Sequence, residues 1–479
     1  MEKRYHLLWN VLPVIALILW GALGITENLW YDEAYSAALV THSFREIIDI
    51  TAQDVHSPFY YFLLKGVWEI FGSIMGFRCL KWFSILAMMG YLLLGKFYVK
   101  KLFGETVSVY FMLFSITLPI MMVQSSNVRM YTLALFFLTL TGLLMVDILR
   151  ESTLRKWLLF IFASVCCVYS HTYAMLEAFF LYIFFFAVIL YQKKYKLLKC
   201  YFVSGITVSA LFLPWLSVTF GQLKNRSGGT LFGLGVRRLV VGIFLDGCKE
   251  WFTALETPIM PVMWAEVILC LFLCFHAVRW MRARHNYAPA LGMLAIMLAI
   301  AAGEVIFVFT RQGFFGRYFF PGFASLVLMY AVGMEQLRSK LIKGLVVFVS
   351  VVCLSAQYRS ELELEYGSEV DVWKNYVEEN VAQEDVIMAA GVHCLYLNIY
   401  CPEKSCMIYG YLPEFLPFQR TEAFTRSEQL EDLDGTLWYL CGMDSTPYLL
   451  SERYTWEEVL CFHHMYQDFS FFKLTAVAQ

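Results

Sequence analysis

Asp32 and Glu33 stand side by side in Leu29-Trp30-Tyr31-Asp32-Glu33-Ala34-Tyr35-Ser36, a few residues after the first membrane-length apolar run. Two adjacent carboxylates at a boundary between hydrocarbon and water are expensive to keep dry. An ionised one held within hydrogen-bond reach can take a proton from an attacking hydroxyl. The same polar segment continues to Asp54-Val55-His56-Ser57-Pro58-Phe59-Tyr60-Tyr61, where Pro58 suits the first turn of a following helix. The plain alternative makes Asp32 and Asp54 helix caps and His56 an ordinary interfacial polar residue.

Three later clusters have similar chemistry. Gln124-Ser125-Ser126-Asn127-Val128-Arg129-Met130-Tyr131 leads into an apolar run. Arginine is costly in hydrocarbon and faces a cavity or a partner there, and its planar fork suits phosphate oxygens; the alternative for Arg129 is snorkelling to the headgroups. His171, in Tyr169-Ser170-His171-Thr172-Tyr173, lies near the end of a predicted span with Glu177 six residues on. An imidazole there can serve as acid or base, or be a satisfied polar residue at a helix end. Phe315-Gly316-Arg317-Tyr318-Phe319-Phe320-Pro321 opens another span. Glu304, about two turns inside the preceding helix, is placed to orient Arg317 or Arg311 by an ion pair, either for function or as a structural lock between two helices.

The elements that position these residues are membrane helices. Of 479 residues, 59% are hydrophobic and 16% charged, against about a quarter charged in a soluble chain. Mean hydropathy is +0.59, and apolar stretches of membrane length recur from residue 7 to residue 357, which defines a polytopic α-helical membrane protein. A net charge of −2 argues against a nucleic-acid partner, which would call for a basic patch or stripe. The run Leu7 to Ile25 follows Lys3 and Arg4 and lacks a small-residue cleavage site, so it reads as a retained first helix.

Spans are expected at 7–25, 80–99, 106–125, 128–149, 157–175, 176–192, 198–217, 258–279, 288–309, 316–336 and 341–357. Basic residues stay cytoplasmic. The clusters are Lys3/Arg4, Lys96/Lys100/Lys101, Arg150/Arg155/Lys156, Lys193/Lys194/Lys196/Lys199, Arg279/Arg282/Arg284 and Arg338/Lys340/Lys343. With all of them inside, eleven spans close with the N-terminus cytoplasmic and the tail extracytoplasmic. A further apolar stretch, 57–75, holds Lys65 and Glu69 and would break that parity, so it is read as a juxtamembrane or re-entrant helix. The outer face then receives 26–79, the 125–130 turn, the end of the helix carrying His171, the loop 218–257, the 310–317 turn and 358–479. The inner face receives short basic loops.

Residues 358–479 differ in kind. They are richer in charge, with helical spacing from Val370 to Asn380 and strand-like runs at Asp385 to Ala390, Thr436 to Leu440 and Phe471 to Val477. This predicts a small α/β domain, extracytoplasmic under the charge map, after a transmembrane domain at 1–357. Of thirteen scattered cysteines, Cys166 and Cys167 read as core residues. Five lie in the tail, Cys394, Cys401, Cys406, Cys441 and Cys461, where one or two disulfides are expected without a readable pairing.

Asp32-Glu33 after the first span, Asp54-Val55-His56-Ser57-Pro58-Phe59-Tyr60-Tyr61, Asn127-Val128-Arg129-Met130-Tyr131, Ser170-His171-Thr172-Tyr173 and Arg317-Tyr318 together resemble the ordered motifs of bacterial GT-C glycosyltransferases. The subgroup is the one related to protein O-mannosyltransferases and to lipid A aminoarabinose and lipopolysaccharide core transferases. The resemblance covers about residues 1–340 and implies a plasma-membrane enzyme using a polyprenyl-phosphate-linked sugar and an extracytoplasmic acceptor: a protein, a glycolipid or a cell-envelope polymer. It makes Asp32 the general base with Glu33 as orienter or alternate. Asp54, His56, Tyr60, Asn127, Tyr131, His171, Glu304 and Tyr318 would line the substrate pocket, with Arg129 and Arg317 on the lipid phosphate. The anionic leaving group suits arginine, and attack on the opposite face of the anomeric carbon predicts inversion. No cofactor is named by the resemblance, and a divalent metal stays open. The family usually has an acid where Asn127 stands and two prolines where Ser57-Pro58 stands. From other classes, a transporter or flippase of a lipid-linked substrate would show repeated halves and broken helices near mid-membrane, and an inactive membrane scaffold would fit the loss of the acid at Asn127.

The charge map is testable without a substrate. A cysteine introduced as Gly313→Cys should react with a membrane-impermeant maleimide in intact cells. Labelling only after rupture would invert the topology.

Overall fold

The computed structural model describes residues 2–225, 260–310, 316–390, 393–409, 417, 423–424, 436–442 and 454–476. Arg311, Cys248 and most of the 218–257 and 310–317 segments lie outside the described residues. The chain divides into two compact units. The first comprises Met1–Gly24, Val55–Tyr60 and Lys81–Arg359; the second comprises Ile25–Asp54, Tyr61–Leu80 and Ser360–Gln479.

The first unit is helical: α1 (Glu2–Leu23), α5 (Arg78–Phe103), α6 (Glu105–Thr117), α7 (Pro119–Ser126), α8 (Tyr131–Arg150), α9 (Leu154–Ser170), α10 (Thr172–Tyr191), α11 (Leu198–Asn225), α12 (Met260–Arg284), α13 (Ala288–Thr310), α14 (Phe323–Gln336) and the start of α15 (Lys340–Tyr366). Among the described residues seven helices are long and apolar enough to cross a membrane, eight if the bent pair α6–α7 counts as one span. Shorter apolar helices at Leu7–Leu23 and Ala288–Gly303 and the 17-residue α9 account for the remaining expected runs. The chain is a multi-pass membrane protein.

Breaks in these helices have local causes. Leu118 is held in the extended region by Pro119, and α6 and α7 bend there by 68°. Gly104 has φ +97 between α5 and α6, a conformation glycine adopts freely. The expected boundary between spans 157–175 and 176–192 falls instead at His171, whose backbone is extended (φ −156, ψ 136). A span length of about 20 residues carries the expected boundary past the polar stretch Ser170-His171-Thr172, where the helix stops. At the other ends of α5, α8 and α9, Asp147 accepts from Lys101 Nζ at 2.7 Å and Tyr98 Oη at 2.8 Å, and pairs with Lys156 Nζ at 3.3 Å. Some of the basic residues used to set topology therefore also neutralise a buried carboxylate.

The second unit joins α2 (Tyr31–Leu39), α3 (Phe44–Gln53) and most of α4 (Phe59–Met75) to the C-terminal α/β region. The expected outer segment 26–79 is thus divided, with 55–60 belonging to the helical unit. In α4, Lys65 pairs with Glu69 at 2.9 Å and donates to the Val40 carbonyl at 3.3 Å. The C-terminal part contains α16 (Val370–Asn380), α17 (Cys394–Tyr400) and a sheet of order β3-β2-β1-β4-β6-β5. Strands β1 (Val386–Ala390), β2 (Ser405–Tyr409), β3 (Ala423–Phe424) and β4 (Leu437–Gly442) run parallel; β6 (Gln467–Ala476) pairs antiparallel with β4 and with β5 (Tyr454–His464). Val386, Met388, Met407, Leu437, Tyr439, Phe472 and Leu474 form one sheet core, and Trp373 of α16 stacks on Phe462 at 5.5 Å. The tail cysteines are unbridged, contrary to the disulfide expectation: Cys394, Cys401, Cys406 and Cys441 are buried, and Cys461 is exposed. Small apolar thiols at the first four sites fill core volume.

Asp385, at the entry to β1, is a buried anchor of this sheet. Its carboxylate accepts from Ala382 N at 3.0 Å, Thr436 N at 2.7 Å and Trp438 Nε1 at 2.9 Å. Burial raises its pKa, but these donors outweigh burial and hold it below the usual carboxylate range. A depressed folded pKa means the stabilisation is fully present above the unfolded carboxylate value and is lost as pH falls through the lowered one. Asp385→Ala should destabilise the sheet by about 2–4 kcal/mol, since it strands buried donors of charge-assisted bonds. Denaturant unfolding should also show the wild-type advantage over this variant shrinking in acid.

Candidate functional site

The helical unit brings together five of the sequence-predicted residues. Arg129 follows the end of α7, which Pro119 redirects from α6; the Arg129 amide donates to the Asn127 carbonyl at 2.7 Å, tightening the turn into α8. The residue is 6% exposed, and Nη2 lies 2.9 Å from His56 Nε2. Guanidinium can only donate, so His56 accepts at Nε2 and carries its proton on Nδ1. That tautomer is neutral, so the His56 ring solvates the arginine without repelling it.

His56 is fixed through its backbone neighbours. Ser57 Oγ donates to the Tyr169 carbonyl, Thr172 Oγ1 donates to the Val55 carbonyl at 3.4 Å, and Gln222 Nε2 donates to the His56 carbonyl at 3.5 Å. The short segment 55–57 is thereby tied to the α9–α10 break and to α11. His171 forms that break, and its ring is buried. It stacks on His56 at 6.1 Å and meets Tyr131 edge-on at 5.3 Å, with Tyr173 at 5.9 Å and Tyr318 at 6.0 Å. His171 Nδ1 has no hydrogen-bond partner among the described residues. Tyr318 sits on the 3-10 helix Gly316–Gly322 and stacks on Tyr173 at 5.3 Å; Arg317 precedes it on the same turn.

Other predicted residues are placed as follows. Tyr60 is buried against Phe83 at 5.9 Å. Asn127 ends α7, donates through Nδ2 to Gln124 Oε1 at 3.3 Å, and its carbonyl accepts from Ser84 Oγ at 2.6 Å. Glu304 lies on α13, but its side chain is outside the described residues. Asp32, Glu33 and Asp54 belong to the second unit. Asp32 is the second residue of α2 and half-exposed. Glu33 is buried and its Oε2 accepts from Trp30 N at 3.2 Å, a capping-box bond. Asp54 is buried at the C-cap of α3. The capping function expected of Asp32 is thus performed by its neighbour.

Sequence reasoning assigned nothing to Gln222, Lys81 or Glu177. Gln222 had no signal beyond its place after an apolar run. Lys81 is a fully buried lysine near the start of α5, and a cation at the edge of a span is the signal that could have marked it. Glu177, on α10, is buried with no hydrogen-bond partner for either carboxyl oxygen among the described residues. It borders a mostly apolar cavity with Gly142, Gly292, Ile296, Pro321 and Gly322. Among the described residues no group of three or more His, Cys, Asp and Glu is gathered for a metal ion.

No family model and no curated protein matches the chain. Solved structures do. ArnT from Cupriavidus metallidurans in the apo state matches with TM-score 0.60 at 13% identity, covering 97% of each chain. ArnT from the same organism bound to undecaprenyl phosphate matches with TM-score 0.60 at 13% identity, covering 97% of this chain and 98% of that one. The chain shares the fold of ArnT over nearly its whole length.

The His56–Arg129 bond carries its own test. His56→Ala should lower the stability of the detergent-solubilised protein by about 1.5–3 kcal/mol, the range for a hydrogen bond to a charged group. In a double-mutant cycle with Arg129→Ala the two losses should fail to add by about 1–3 kcal/mol. Simple additivity would separate the two side chains.

Proposed function

We propose that the protein is an integral membrane glycosyltransferase that moves a sugar from a polyprenyl-phosphate donor to an extracytoplasmic acceptor. The observation that carries the reading is Arg129, a guanidinium buried with His56 and His171 in a fold that, in ArnT, has been crystallised with undecaprenyl phosphate. Arginine's planar fork suits a phosphate monoester or diester, and burial strengthens each contact it makes.

In this reading Arg129 and Arg317 hold the lipid phosphate, and His56, His171, Tyr60, Tyr131 and Tyr318 wall the site around it. Asp54, Asn127 and Glu304 complete the substrate pocket, and residues 358–479 form the extracytoplasmic domain, with the N-terminus cytoplasmic. The acceptor hydroxyl attacks the anomeric carbon as the bond from that carbon to the phosphate oxygen breaks. Its proton passes to Asp32, and the electron pair leaves with polyprenyl phosphate, whose charge the guanidinium groups stabilise. Single displacement inverts the anomeric centre. Glu33, engaged by the Trp30 amide, orients the helix that carries Asp32 and does not itself take the proton.

The test uses membranes holding the full chain and a panel of undecaprenyl-phosphate hexoses and pentoses, with mass analysis of cell-envelope glycans from cells with and without the protein. One sugar should be lost from the glycans without it. Asp32→Asn should slow transfer by about 10²–10⁴-fold. Turnover unchanged by that substitution would remove the base, and lipid translocation without transfer would make the chain a transporter.

A further inference from the structure

The segment leading into α2 is gripped from residues far along the chain, all within the second unit. Leu29 is fully buried, and both of its backbone polar groups are taken by side chains. Its amide donates to Tyr400 Oη at 3.0 Å, and the same hydroxyl donates onward to the Glu27 carbonyl at 3.2 Å. Its carbonyl accepts from His464 Nε2 at 2.9 Å. His464 Nδ1 lies 2.7 Å from Ser368 Oγ; with Nε2 donating, Nδ1 accepts the serine proton, so a neutral ring satisfies both ends. Just upstream, Asn28 Nδ2 donates to the Glu365 carbonyl at 2.7 Å, and Thr26 Oγ1 donates to the Glu365 carboxylate. Just downstream, the Trp30 ring meets Tyr466 edge-on at 5.9 Å.

These contacts come from α15, α17, the last residue of β5 and the turn after it, and they run up to the N-cap of α2. Trp30 is that cap, and Asp32 lies in the first helical turn it sets. Leu29 and Asp32 are three residues apart, with the Glu33–Trp30 bond closing the turn between them. A residue whose N–H and C=O are both fixed has little freedom to rotate, and the helix that starts after the next residue inherits its direction. Tyr396 of α17, close enough to the Glu33 and Asp32 carboxylates for them to raise its pKa beyond the effect of burial, bears on the same turn.

We infer that the C-terminal α/β region acts on the reaction as a clamp: Tyr400 and His464, each through the Leu29 backbone, are positioning residues for the Asp32 carboxylate. This rests on the proposed role of Asp32 as base. The region is then needed for turnover though neither residue touches substrate.

The full chain in membranes tests this with the undecaprenyl-phosphate sugar that the wild type consumes, comparing Tyr400→Phe/His464→Ala, His464→Gln and Asp32→Asn side by side. The double variant should lose about 10–100-fold in kcat, the scale of a base displaced by about 1 Å, with the donor KM within about twofold. His464→Gln, which can still donate to the Leu29 carbonyl, should recover most of the rate. Hydrogen exchange should accelerate at the amides of Leu29 to Ala34 while β4 and β6 stay protected. If the double variant does not fold, Tyr400→Phe, which removes a single oxygen, is read the same way. Wild-type kcat with lost protection at Leu29, or a KM rise at constant kcat, would overturn the clamp while Asp32→Asn remained inactive. An active Asp32→Asn would overturn the base assignment and the clamp with it.

Discussion

A guanidinium cannot be carried into an apolar helix bundle without groups that replace water, and Arg129 is where this constraint falls hardest. One of its partners is a neutral imidazole, 2.9 Å away, and that choice shapes what surrounds it. For His56 to accept, its ring must be presented at one angle, which requires the segment 55–57 to be tied down. The ties run to the Tyr169 carbonyl, the Thr172 hydroxyl and Gln222. Two of the three end at the α9–α10 break, so the break is part of the arginine's environment. Had α9 continued through His171, its carbonyls would be committed to the helix ladder and that ring would point elsewhere.

The same economy explains the bent pair. A straight helix after residue 118 would carry Gln124 to Arg129 on along the axis of α6. Pro119 lacks the amide that continues the ladder, so α7 departs by 68° and its end meets Ser84 of α5 through the Asn127 carbonyl. Bending trades a few helical bonds for a site assembled from α5, α7 and the 55–57 segment. Such a break is tolerable in an apolar setting only where packed protein takes up the freed polar groups.

The helical architecture was legible because each apolar run is long and each connecting loop is polar or basic, and α16 was legible from its spacing, Val370 to Asn380. The break at His171 was displaced because the expected boundary followed a span length of about 20 residues, and the short polar stretch Ser170-His171-Thr172 was read as lying near the end of a span. In the C-terminal region β1, β4 and β6 announced themselves as apolar runs. The outer strand β5 did not: it pairs on one side with β6, only Phe462 and His464 are buried, and an irregularity between Glu458 and Leu460 breaks the period-2 alternation. Among the site residues, types were readable and partnerships were not. Asp32 and Glu33 are equal on paper, yet the extended backbone of Trp30 (φ −77, ψ 169) turns Glu33 into the cap and leaves Asp32 half-exposed. His56 and Asp54 are two residues apart but fall in different units, a division decided by packing that no local pattern encodes.

The 3-10 helix bearing Arg317 and Tyr318 shows how much of the site depends on atoms that are missing by design. At Gly322 a Cβ would stand 2.4 Å from Ile296 Cγ1 and 2.6 Å from Glu177 Oε2, and at Gly292 it would stand 2.3 Å from Ser325 Oγ. These separations are well inside van der Waals contact, so the two glycines let the 3-10 helix and the start of α14 lie directly against α10 and α13. That close approach brings Tyr318 within stacking distance of Tyr173, and Tyr173 is held beside His171. Glu177 then sits under the turn with its carboxyl against backbone where a side chain would otherwise be. A larger residue at 322 would have to push either Ile296 or this carboxyl aside, and interiors packed near crystalline density transmit such shifts. The ring stack from Tyr318 through Tyr173 to His171 therefore rests on a backbone contact at one end and on the Arg129–His56 bond at the other.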